Sequence, residues 1–104
     1  KVDVELKPIN PPHKLYHGSS TEFLDSVKKN GLLKMSRQHV HLSGDLNTAK
    51  TVGKRHVKGN HDLIIYTINA KLMVFEGHKI YVSDNGVYLT NHVPFEYLDF
   101  SIYV

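Results

Sequence analysis

A chain of 104 residues, 40% of them hydrophobic and 22% charged, holds material for one compact domain with a modest core and too little for two. Thirteen basic residues against ten acidic ones give a net charge of +3, which suits an anionic ligand or RNA and is also ordinary for a small domain. The lack of cysteine excludes disulfides and thiolate chemistry, no apolar run approaches membrane-spanning length, and the opening segment lacks a signal-peptide core.

Lys1–Leu6 alternates charged and apolar residues and reads as a short edge strand. Pro8, Pro11 and Pro12 hold the chain extended after it, so residues 1–12 form a strand and linker ahead of a domain over 13–104. Lys14–His17 is a short strand. Ser19 with Glu22 has the form of a capping box, opening a helix with Phe23, Leu24 and Val27 on one face and a stop at Gly31. Leu32–Arg37 reads as a connector. His39–Ser43 alternates in period two, with Val40 and Leu42 opposite His39, His41 and Ser43. Gly44–Asp45 turns into a second helix with Leu46, Ala49 and Val52 in its apolar stripe, and Arg55–Asn60 is a loop.

Leu63–Ile68, rich in β-branched and aromatic residues, is the clearest strand. Leu72–Phe75 and Lys79–Ser83 read as further strands, and Asp84–Gly86 as a tight turn. Val87–Thr90 is a strand, Pro94–Tyr97 a turn, and Leu98–Val104 the last strand. About seven strands with two early helices make an α+β domain without internal repeats.

Four clusters carry possible chemistry. In Leu15–Ser19, Gly18 beside His17 allows close approach of a ligand to the main chain, whose amide groups suit a flat carboxamide; a polar strand end is the plain alternative. In Ser36–Ser43, Arg37 could clamp a phosphate with His39 and His41 as donors. Zinc competes there, with His17, His56, Asp45 or Asp62 completing the ligands, and so does a merely solvated face. In Thr48–His56, three basic groups after Gly53 could meet a pyrophosphate or simply complement the helix dipole; the pattern is not a P-loop. In Tyr81–Thr90, Tyr81 or Tyr88 could stack on a base or on nicotinamide, or be an ordinary strand aromatic.

The ordered blocks LYHGS, MSRQHVHLSGD, TAKTVGKRH and YVSDNGVYLTNHVP resemble the C-terminal domain of the KptA-type NAD-dependent RNA 2'-phosphotransferases from about Leu6 to Tyr97. The resemblance implies an ADP-ribosyltransferase-like fold, a split and bent β-structure around an NAD cleft. It also implies an intracellular RNA-processing enzyme that needs no metal and has no membrane partner. The histidine, histidine and apolar positions of that family fall on His17, His41 and Val87. Catalytic roles fall on Arg37, His17 and His41. Cofactor contacts fall on His17, Gly18, Ser19, His41, Ser43, Thr48, Arg55, Tyr81 and Val87.

The implied substrate is RNA with an internal 2'-phosphate, as in spliced tRNA. That phosphate attacks the nicotinamide ribose, and the ribose 2-hydroxyl then attacks phosphorus. The products are RNA with a free 2'-hydroxyl, nicotinamide and ADP-ribose 1'',2''-cyclic phosphate. The family also carries an N-terminal lobe that supplies two arginines and a histidine beside Arg37, and such a lobe is expected to complete the site. Val57 and Tyr88 stand where the family has glycine and tryptophan. Two other activities share these residues: ADP-ribosylation of terminal phosphates on RNA or DNA, and NAD binding without catalysis.

Overall fold

The computed structural model describes residues 6–104. The strand expected over Lys1–Leu6 therefore lies, apart from Leu6, outside the described residues. In chain order the elements are β1 (Lys14–Ser20), α1 (Leu24–Asn30), β2 (Leu32–Leu33), β3 (Val40–Leu42), α2 (Leu46–Lys54), β4 (Leu63–Asn69), α3 (Ala70–Phe75), β5 (Ile80–Val82), β6 (Tyr88–Thr90), β7 (His92–Val93) and β8 (Leu98–Tyr103). This is the α+β class expected, and among the described residues no helix is long and apolar enough to cross a membrane.

Two antiparallel three-stranded sheets, ordered β1-β4-β8 and β3-β6-β5, build the domain, with β2 and β7 as a small separate pair. β4 is apolar along both faces because it is the middle strand. Ile64, Tyr66 and Ile68 enter the main core with Leu15, Val40, Leu42 and Ile80, while Leu63 and Ile65 face Ala49 of α2 in a smaller cluster. The proline-rich segment is more than a linker. Ile9 donates its N–H to the Ile80 carbonyl at 2.9 Å, and Pro8 bridges Tyr81, so the segment lies along the free edge of β5.

Two expected elements differ. Leu72–Phe75 belongs to a helix, not a strand. The Asn69 side chain accepts from Leu72 N–H at 3.1 Å and caps α3, whose Ala70 and Met73 point inward while Phe75 is 85% exposed. A local cap and a helical spacing thus outweigh the β-propensity of the apolar run. The cap before α1 is Ser20, not Ser19: Ser20 Oγ accepts from Glu22 N–H at 3.2 Å and opens a 3₁₀ turn over Thr21–Phe23. Ser19 stays within β1. β2 and β7 are additional strands, too short for a periodic signature.

The two sheets meet at one point. Tyr16 and Ser43 exchange backbone hydrogen bonds of 2.8 and 2.7 Å, an isolated bridge between β1 and the end of β3. Past it the strands diverge, and β1 runs on to Ser20 with β4 on one edge only. α2 closes down on one face of this edge strand. A Cβ on Gly18 would stand 1.9 Å from the Ala49 carbonyl oxygen, and one on Gly53 would stand 2.9 Å from Gly18 Cα. Two glycines let helix and strand backbones touch.

Candidate functional site

Where β1 leaves β3, an open cleft of about 520 Å³ lies between the loop from Leu33 to His39 and the C-terminal end of α2. Residues on β1 alternate, so His17 and Ser19 line it while Gly18 turns its Cα toward α2. Arg37 enters from the loop, His41 from β3, and Arg55, at the C-cap of α2, from the opposite wall. A smaller, more apolar recess of about 220 Å³ shares His17, Ser19, Leu33 and Met35 with the cleft and extends to Phe23 and Val27.

His17 is held in one tautomer. Its Nδ1 lies 2.9 Å from the His41 carbonyl oxygen, which can only accept, so Nδ1 carries the proton and Nε2 keeps its lone pair. Burial pushes the His17 pKa below its ordinary 6.5 against the opposing backbone hydrogen bond, and repulsion between a protonated His17 and its basic neighbours, Arg37 among them, adds to the fall. His41 repeats the arrangement. Its Nδ1–H donates to the His39 carbonyl at 3.0 Å, and burial followed by Arg37 lowers its pKa. At neutral pH both rings are thus uncharged, each with an Nε2 able to accept a hydrogen bond.

The loop carrying Arg37 is shaped by a tight turn in which Arg37 N–H bonds the Lys34 carbonyl at 2.9 Å. Met35 within it takes φ +54°, the left-handed region, and its side chain is 80% exposed at the cleft mouth. Such a conformation costs a non-glycine residue about 1–2 kcal/mol and persists only where the surroundings impose it.

Of the residues singled out from sequence, His17, Ser19, Arg37, His39, His41, Arg55 and His56 gather on this one cleft. The others sit elsewhere. Gly18 is needed for the α2 contact, and its backbone has a second property. Bonding alternates along an antiparallel strand, so Gly18 turns its N–H and C=O the same way as Tyr16, away from β4 and toward the edge that β3 has left. Ser43 is tied to Tyr16 through its main chain. The Thr48 hydroxyl and N–H both bond Asp45 Oδ2, at 3.0 and 2.9 Å, as part of the α2 cap. Tyr81 pairs with Leu89, which pairs with His41, so Tyr81 shares a sheet face with His41 but lines a neighbouring groove. Val87 precedes β6, and its N–H is held by Ser83 Oγ at 3.1 Å.

A family model described as RNA 2'-phosphotransferase, Tpt1 / KptA family, matches residues 1–92 of this sequence. The chain belongs to that family. It is 51% identical over 98 residues to a probable RNA 2'-phosphotransferase of Trichormus variabilis, covering 94% of this chain and 52% of the relative. A protein of the same description from Fusobacterium nucleatum is 48% identical over 100 residues, covering 96% and 54%, and one from Hahella chejuensis is 47% identical over 97 residues, covering 93% and 50%. The chain spans about half the length of these curated relatives.

Both departures from the family pattern have a place in the fold. Val57 packs against the small cluster under α2, directly after the basic end of that helix. Tyr88 packs on the main core and lies over Gly44, where a Cβ would meet its Cε2 at 3.0 Å, so it supports β3 and does not face the cleft. His39 and His56, read from sequence as a phosphate donor and as one of three basic groups after Gly53, and Val52, read only as part of an apolar stripe, all line the cleft. For His39 the period-two alternation with His41 was a usable signal. For Val52 and His56 the signal is tertiary, because only the packing of α2 on Gly18 brings that helix end to β1.

Proposed function

We propose that this chain is the NAD-binding, ADP-ribosyltransferase-like lobe, over residues 13–104, of an RNA 2'-phosphotransferase. The enzyme transfers an internal RNA 2'-phosphate, that of spliced tRNA, to ADP-ribose, releasing RNA with a free 2'-hydroxyl, nicotinamide and the cyclic phosphate. One observation carries the reading: the only two arginines of the chain, Arg37 and Arg55, line the same cleft, beside a neutral histidine of fixed tautomer. The residues present suit the cofactor. A cleft with an arginine on each side can hold a dianionic pyrophosphate and a second phosphate at once, and the adjoining apolar recess suits a flat ring.

NAD would supply the electrophilic ribose carbon and its nicotinamide leaving group. Arg55 binds the pyrophosphate, a bidentate task that lysine performs poorly. Gly18 offers its free N–H and C=O to the carboxamide, with Ser19 beside it. His17 Nε2 accepts from a ribose hydroxyl and so fixes the sugar; being neutral, the ring does not oppose positive charge developing on the ribose. Arg37 grips and orients the RNA 2'-phosphate from the loop, and His41 Nε2 lies on the same wall. Val87, before β6 and outside the cleft lining, presents an apolar side chain in place of a carboxylate that would add negative charge against the incoming phosphate. A further lobe supplying two arginines and a histidine is part of this proposal.

Calorimetric titration with NAD tests the cofactor half. The chain binds NAD, Arg55→Ala weakens binding at least tenfold (about 1.4 kcal/mol), and Arg37→Ala binds nearly as the parent does. When the chain is joined to the N-terminal lobe of a full-length relative, Arg37→Ala loses nicotinamide release from 2'-phospho-RNA. Equal affinity for NAD in the parent, His17→Ala, Arg37→Ala and Arg55→Ala would refute the site. A stable ADP-ribose adduct on the nucleic acid, without cyclic phosphate, would replace the two-step transfer by single-step ADP-ribosylation.

A further inference from the structure

A second groove of about 540 Å³ opens across the β3-β6-β5 sheet, next to the arginine cleft. His39 lines both, and at their boundary Lys34, which lines the cleft, donates to Asn91 Oδ1, which lines the groove, at 3.1 Å. The groove walls carry Lys79, His78, His92 and Asn91, and among the described residues no acidic side chain lines it. Glu76, which precedes the groove residues Gly77 and His78, accepts the Tyr97 hydroxyl and is thereby occupied. Tyr81 forms an aromatic surface there, steadied by the His39 ring at 5.9 Å in an edge-on contact.

A cation, hydrogen-bond donors and a supported aromatic ring around an open channel are the components by which single-stranded nucleic acid is held, through phosphates and stacked bases. NAD needs none of this second space, since the cleft and recess already offer two arginines and an apolar seat. From this we infer that the groove carries the RNA strand flanking the 2'-phosphorylated nucleotide, with Lys79 near a backbone phosphate and Tyr81 against a base. The strand would enter or leave the cleft past His39. This rests on the assignment of Arg37 to the RNA 2'-phosphate and extends it from one nucleotide to a path. It also moves Tyr81 from cofactor contact to RNA contact.

The test is fluorescence anisotropy with fluorescein-labelled single-stranded RNAs carrying one internal 2'-phosphate, three or twelve nucleotides long, alongside NAD titration of the same proteins. The chain binds the twelve-mer more tightly than the three-mer. Lys79→Glu and Asn91→Asp, at neighbouring positions beside β5 and β6, each weaken the twelve-mer several-fold, and Lys79→Glu also flattens its salt dependence by roughly one ion or more, while the three-mer and NAD are unaffected. Tyr81→Ala weakens the twelve-mer by roughly tenfold with little change in salt dependence. Equal affinity for the two lengths, or a twelve-mer indifferent to all three substitutions, overturns the path. NAD binding without any RNA binding overturns it as well and leaves the cofactor site standing. Length-dependent RNA binding that responds to these substitutions, without NAD binding, sustains the path and removes the cofactor assignment.

Discussion

The two faces of β1 are built to opposite standards. On one, Gly18 lies against the backbone of α2 so closely that a single methyl group would overlap the Ala49 carbonyl. On the other, one residue before, His17 stands at an open cleft with the neighbouring strand withdrawn. The closed face positions the open one. Because α2 cannot shift without parting Gly53 from Gly18, Arg55 at its end is held at a fixed place relative to His17. Rigid packing on one side of a strand is what permits an unfilled, polar site on the other.

The largest expected break in this comparison is Gly18→Ala. Backbone faces backbone there, so no side chain can move aside, and the cost should reach at least about 3 kcal/mol, the upper end of overpacking. A urea midpoint within error of the parent would show that the closed face is looser than the geometry says. Gly53→Ala should cost less, since one of its obstacles, Leu63 Cδ1, is the end of a flexible side chain.

A smaller effect sharpens the open face through pH. The folded chain holds His17 and His41 below 6.5, so between that lowered value and 6.5 the unfolded state binds more protons than the folded one. Stability is full above about pH 6.5 and is lost as pH falls toward the folded pKa values. His17→Asn keeps a donor for the His41 carbonyl but cannot titrate. Its melting temperature should fall less steeply between pH 7 and pH 5 than that of the parent, and identical slopes would remove His17 from the explanation.

The smallest effect concerns Tyr66, paired with His17 across the sheet, its ring centroid 6.4 Å from that of the imidazole. Its hydroxyl is buried without a hydrogen-bond partner among the described residues, and burial pushes its pKa up to about 12. Tyr66→Phe removes an unsatisfied group and should raise stability by up to about 1 kcal/mol in urea denaturation. A clear loss of stability would mean that the hydroxyl has a partner in solution.

Much of the fold was legible because local patterns encode it. The alternation in His39–Ser43 announced a strand with two histidines on one side, and the β-branched run at Leu63–Ile68 announced the central strand. The misreading of Leu72–Phe75 is equally instructive. Four apolar residues fit either period, and the decision lay with Asn69, whose side chain caps the helix from outside the run. Ser19 was mistaken for the cap because Ser20 beside it offers the same hydroxyl.

By itself the sequence determined the α+β class, the strand carrying His17, His41 on β3 with His39 just before it and, through ordered motifs, the family. Tertiary structure alone decided that Gly18 serves a helix contact and turns its main-chain groups away from β4. It also decided that Arg37 and Arg55 meet across one cleft, and that Tyr81 faces a different groove. The reason is physical. Side-chain periodicity says which face of an element is apolar, but it carries no information on which distant backbone will pair with Tyr16. That one pairing, with Ser43, sets where the sheets part and therefore where the site can be.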